Sequence, residues 1–147
     1  MARFSGGAGV SAVEWTPVLT NVTVGSGTVS SSAYESGDMV FGFLSFVVAA
    51  DSAISGAVSV NLPAVAVSAA PLSVVGAYTQ NATGDVFSVG GATDGSALAL
   101  NVKKIPGLTY DALESGEFVT ADSVDATHPV AYAVGDVLTI SFMYKKA

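Results

Sequence analysis

The sequence predicts an all-β protein, an antiparallel sandwich or barrel, and three observations carry that expectation. Sixteen glycines and an abundance of Ala, Ser, Val and Thr, against few Leu, Lys or Glu, disfavour helices and favour strands joined by tight turns. Short segments alternate apolar and polar residues with the two-residue period of a half-buried strand. Turn residues separate these segments at the spacing typical of sandwiches and barrels.

Taken in order, the first element follows Trp15-Thr16-Pro17. Leu19 to Val24 and Thr28 to Ser30 flank Gly25-Ser26-Gly27, whose glycines accept the positive φ of a tight reversal, so a hairpin is expected there. Ser36-Gly37-Asp38 is a second turn. Met39 to Val47 then places Phe41, Phe43, Ser45 and Val47 on one side and Val40, Gly42, Leu44 and Phe46 on the other. Both sides are largely apolar, which predicts a central strand covered on two faces, with Phe41, Phe43 and Phe46 in the core. Ala57 to Leu62 alternates again until Pro63, which has no N–H to give a ladder and should end the strand. Further strands are expected over Leu72 to Tyr78, Val86 to Val89 and Ser96 to Val102, separated by Asn81 to Asp85 and Thr93-Asp94-Gly95. Tyr110 to Glu114 suggests one helical turn bounded by Gly107 and Gly116. Gly135-Asp136 opens the last strand, with Leu138, Ile140, Phe142 and Tyr144 on one face and Lys145-Lys146 placed to blunt edge pairing.

The 147 residues suit one domain, expected over 15–147, behind a glycine-rich arm over 1–14. Half the residues are apolar and 12% charged, yet the longest apolar run, Met39 to Ala50, is too short for a membrane-spanning helix. Surplus apolar surface in such a chain is expected to be met by self-association. Twelve acidic and five basic residues give a net charge of −7, which repels polyanions and argues against nucleic acid as a partner. Without cysteine there are neither disulfides nor thiolate metal sites.

No constellation of catalytic residues stands out, and no cofactor is expected. The one histidine, His128, shares a loop with Ser123 and Asp125, but no Gly-x-Ser-x-Gly elbow accompanies them and residues so close in sequence are ill placed for a relay. Asp122 and Asp125, with Asp111, Glu114 or Glu117, could offer oxygen ligands to calcium, although no EF-hand spacing occurs and no metal is predicted. Gly6-Gly7-Ala8-Gly9 and Gly90-Gly91 precede no Lys-Ser/Thr pair, so they read as flexible or turn segments and not as phosphate loops.

Several of these segments together resemble a known module. Trp15 to Thr20, Gly25 to Val29, Tyr34, Gly37 to Phe41, Gly56 to Pro63 and Gly135 to Ser141 are similar to a β-rich module of tailed-bacteriophage virion proteins. The resemblance spans nearly the whole chain after Trp15. It implies a jelly-roll-like antiparallel β-sandwich, trimeric, non-enzymatic, and placed on the outer surface of the particle. Tail and fibre proteins carry long attachment regions before such a module, whereas fourteen residues precede Trp15 here, so a capsid decoration or cement protein is the expectation. Its partners would be its own copies and the major capsid protein. Arg3, Phe4, Val10 and Val13 on the arm, Trp15 at its root, and Pro71 and Tyr78 in the charge-poor stretch from Leu62 are the expected attachment and interface residues. The alternatives are a tail-fibre or spike tip that binds a host receptor through Asn81 to Asp85 or Asp122 to Pro129, and a hydrolase of surface polysaccharide.

Overall fold

The computed structural model describes residues 9–64, 73–104 and 120–147. Among them every regular element is a β-strand, and every pairing is antiparallel. The strands are β1 (Ser11–Ala12), β2 (Leu19–Thr23), β3 (Thr28–Ser36), β4 (Met39–Val47), β5 (Ala53–Asn61), β6 (Ser73–Thr79), β7 (Val86–Thr93), β8 (Ala97–Lys104), β9 (Thr120–Ser123) and β10 (Val137–Lys145). They form one sheet in the order β1-β3-β4-β10-β6-β7-β8-β5-β2, with β9 paired to β8. The helical turn expected at 110–114 lies outside the described residues.

The order itself dictates that the sheet curls. β2 ends one side of it and β3 lies next to the other end, yet only Val24 to Gly27 joins them in the chain. The Gly25-Ser26-Gly27 signal therefore makes a tight turn, closed by Gly27 N–H donating to Val24 O at 2.9 Å, but not the expected hairpin. Instead β2 pairs with β5 and β3 with β4. Two arms, β2–β3 and β4–β5, thus run side by side as a long ribbon that folds over at one corner. Side chains hold that corner: Asp51 accepts from the Ser26 N–H and hydroxyl at 2.8 and 2.6 Å, and the Ser52 hydroxyl donates to Val24 O at 2.6 Å.

β6, β7 and β8 carry the sheet from one half of the ribbon to the other. β7 pairs with β6 through Val86 to Val89 and with β8 through Val89 to Thr93. Gly90-Gly91, expected to be a turn, lies inside this strand where it changes partners. A side chain at 91 would meet Leu98 at 2.8 Å and the Ala99 carbonyl at 2.9 Å, so glycine permits the close approach.

One face of the curl encloses the core. Val40, Leu44 and Phe46 of β4, Ile140, Phe142 and Tyr144 of β10, Val58 and Val60 of β5, and Leu98 and Leu100 of β8 form one buried cluster. Trp15 spans it, donating from Nε1 to Asn61 O at 3.1 Å and meeting the Phe142 ring edge-on at 5.5 Å. The Tyr144 hydroxyl fixes the exit of β5 by donating to Ala64 O at 2.6 Å and accepting from Ala64 N–H at 3.0 Å. The expected end of that strand at Pro63 holds, since β5 stops at Asn61.

Two expectations about position change. β10 is not an edge strand: it lies between β4 and β6. Lys145 and Lys146 face acids of the β3–β4 hairpin, Asp38 at 3.5 Å and Glu35 at 2.8 Å. The edge strand β2 is protected otherwise, by an irregularity at Asn21, whose φ is 62° and whose amide donates to Ala57 O at 2.8 Å.

Phe142 also explains why residue 42 is glycine. The two residues pair directly, and a Cβ at 42 would sit 2.1 Å from the Phe142 ring. Gly42→Ala should therefore lower unfolding free energy by about 1–3 kcal/mol, the range for overpacking a filled core. Urea denaturation measures it, and an unchanged midpoint would contradict this packing.

Candidate assembly surface

Because paired residues share a face, the register of the strands sets out the outer surface row by row. Tyr34, Phe41, Met143 and Ser73 make the first row across β3, β4, β10 and β6. Ser32, Phe43, Ser141 and Val75 make the second, and Ser30, Ser45, Thr139 and Ala77 the third, which Ser88 of β7 extends. Thr28, Val47, Val137 and Thr79 make the fourth, extended by Val86. None of these eighteen positions carries a charge and none is buried.

The end nearest the β3–β4 turn is the most apolar. Tyr34, Phe41, Phe43, Val75 and Met143 remain 39–72% exposed and, with the intervening serines, line a shallow groove of about 360 Å³. This corrects the expected burial of Phe41 and Phe43: β4 is central, but among the described residues only its Val40, Leu44 and Phe46 side is covered. Both apolar faces were visible in the sequence. Which of them the chain itself covers depends on the curl, which no local pattern encodes. Charges border the face at Lys145 and Asp38 beyond the first row, and at Asp85 beside Val86.

A buried carboxylate fixes which side of β10 faces out. Asp136 has no exposed surface and accepts from the Tyr78 hydroxyl at 2.5 Å, from Asn81 N–H at 2.9 Å and from Ala133 N–H at 2.9 Å. Burial alone would raise its pKa, but these three donors outweigh burial and hold it below the ordinary carboxylate range. Tyr78 is pushed upward, first by its burial and then by the acceptor it faces. In the sequence Asp136 reads only as a turn residue, and no signal there marks it as a buried anion.

The expected attachment residues scatter. Arg3, Phe4 and Pro71 lie outside the described residues. Val10 is 71% exposed, whereas Val13 joins the sheet by donating from its N–H to Ala33 O at 2.9 Å, so the body begins at β1 within the expected arm. Trp15 is packed against the core, and Tyr78 is buried in it beside Asp136. Trp15 keeps part of its surface exposed, whereas Tyr78 has almost none.

The His128 loop is organised by its own turn. Asp125 Oδ1 accepts from Thr127 N–H at 2.7 Å and His128 N–H at 2.9 Å, with His128 Nδ1 at 3.1 Å. The Thr127 N–H is the leading cause that lowers the Asp125 pKa to about 2. Ser123, at the end of β9, is exposed. Among the described residues no group of three or more His, Asp or Glu is placed to hold a metal ion. The side chain of Asp122, and all of Asp111, Glu114 and Glu117, lie outside the described residues.

Comparison with protein-family models, with curated proteins and with solved structures gave no significant match. The class that the fold defines is an all-β, antiparallel, single-sheet protein with eighteen uncharged outward positions across β3, β4, β10, β6 and β7.

A carboxylate held below its unfolded pKa of about 3.9 contributes stability above that pH and loses the contribution as pH falls through the folded pKa. Asp136→Asn should cost about 3 kcal/mol at neutral pH, because two backbone donors lose a charged acceptor. Its acid unfolding below about pH 4 should also be shallower than that of the wild type. Chemical denaturation across pH 2–7 checks both, and equal stability at pH 7 would contradict the role given to Asp136.

Proposed function

We propose that this chain is a non-enzymatic structural protein of a tailed-bacteriophage particle, a capsid decoration or cement protein that assembles as a trimer on the outer surface of the head. The observation that carries this reading is the uncharged outward face, on a body whose buried side-chain polar atoms all find partners among the described residues. Such a body is satisfied inside and leaves an uncharged, partly apolar surface for other molecules. The folded ribbon of β2–β5 supports a jelly-roll-like sandwich, since folding a long antiparallel ribbon over itself is how that architecture is made. The resemblance of the Trp15 to Pro63 segments and of the last strand supplies the phage setting, and the major capsid protein is the partner the reading implies.

A second reading is a tail-fibre or spike tip that binds a host receptor. It draws on the exposed loop Asn81 to Gly84, carried on the rigid frame between β6 and β7.

Copy number separates the two readings. Quantitative mass spectrometry of purified particles should find on the order of hundreds of copies, with antibody labelling on the head; a handful of copies confined to the tail would overturn the cement reading. Removing Met1 to Gly9, which spares β1, should abolish particle attachment and leave the fold intact, as reported by unchanged thermal unfolding.

A further inference from the structure

The outward face of β3, β4, β10, β6 and β7 has the layout of a contact surface: an uncharged interior of eighteen positions, an aromatic and aliphatic end, and charges only at its border. Five strands about 4.8 Å apart and four rows about 7 Å apart give a projected area on the order of 400 Å². Side chains standing off the sheet enlarge it toward the ~800 Å² per partner of a standard interface. The charge distribution narrows the kind of partner. The chain carries −7, so a basic partner would be drawn to its acidic surfaces and gain nothing from a face without charge. Two copies of the chain repel each other wherever their acids approach, and a neutral face is where that repulsion is least. A copy brings the same uncharged surface, and around a symmetry axis such faces meet without burying a charge.

We propose that this face is where a second copy of the chain seats, with Val75, Phe43, Phe41, Tyr34 and Met143 as the apolar end of the contact. The inference rests on reading the chain as an assembling module, and it names the surface. Val75 is the position to test, because at 72% exposure a lysine there meets solvent and the fold should tolerate it. Val18, 61% exposed and outside the five-strand face, is the control.

Sedimentation velocity over a range of concentrations should show wild-type chain and V18K as the same oligomer. V75K should shift to monomer, with self-association weakened at least tenfold and an unchanged circular dichroism spectrum. A dimer or a trimer that V75K dissolves supports the assignment. A wild-type chain that stays monomeric, or a V75K variant that associates as well as wild type, overturns it and leaves the face to a partner of other chemistry. The two readings fail separately: self-association through this face by a protein missing from particles would sink the virion role alone.

Discussion

The acceptor pair of Asp136 sets the register on which the rest of this structure depends. The residue before β10 is held from three directions by its side chain, and its backbone carbonyl accepts from Val48 N–H at 2.9 Å at the exit of β4. Tyr78 of β6, the loop after it and the end of β4 are thereby fixed to one point. A slip of one residue in β10 would turn Leu138, Ile140, Phe142 and Tyr144 outward and bring Thr139, Ser141 and Met143 into the core. A charge removed from water is tolerated there because each oxygen finds donors at the geometry the fold supplies, and removing any donor would leave that anion under-compensated.

The remaining contacts extend this register across the curl. Phe142 fills the space over Gly42 and meets Trp15, while Tyr144 stacks on Phe142 at 6.0 Å and reaches the exit of β5. One strand therefore organises both halves of the sheet from its inward face. Its outward face, Thr139, Ser141 and Met143, continues the uncharged rows, so the choice of core also decides which residues face outward.

Much of this was legible where the signal is local. The alternation of β10, the Gly37-Asp38 reversal and the stop at Pro63 follow from residue type and the two-residue period. What the sequence could not locate was the partner of each strand. Gly25-Ser26-Gly27 does make a turn, but its flanking strands part, β2 pairing with β5 and β3 with β4. Gly90-Gly91 bends a strand that serves two neighbours. Phe41 and Phe43 are apolar enough for a core, and the all-β expectation of a covered central strand fails on them because the sheet curls the other way. Asp136 and Tyr78 were separated by fifty-seven residues, and only the folded chain shows that they meet.

The proposed contact between copies uses the outward face of β3, β4, β10, β6 and β7, which the well-satisfied inward face leaves uncovered. Replacing Phe43, which is 40% exposed, by p-benzoylphenylalanine adds a photoreactive benzoyl group that points outward from that face. Irradiation should link copies covalently, with the joined peptides drawn from β3, β4, β6, β7 and β10. Unlinked chains, or links falling on β2, β5 or β8, would contradict it.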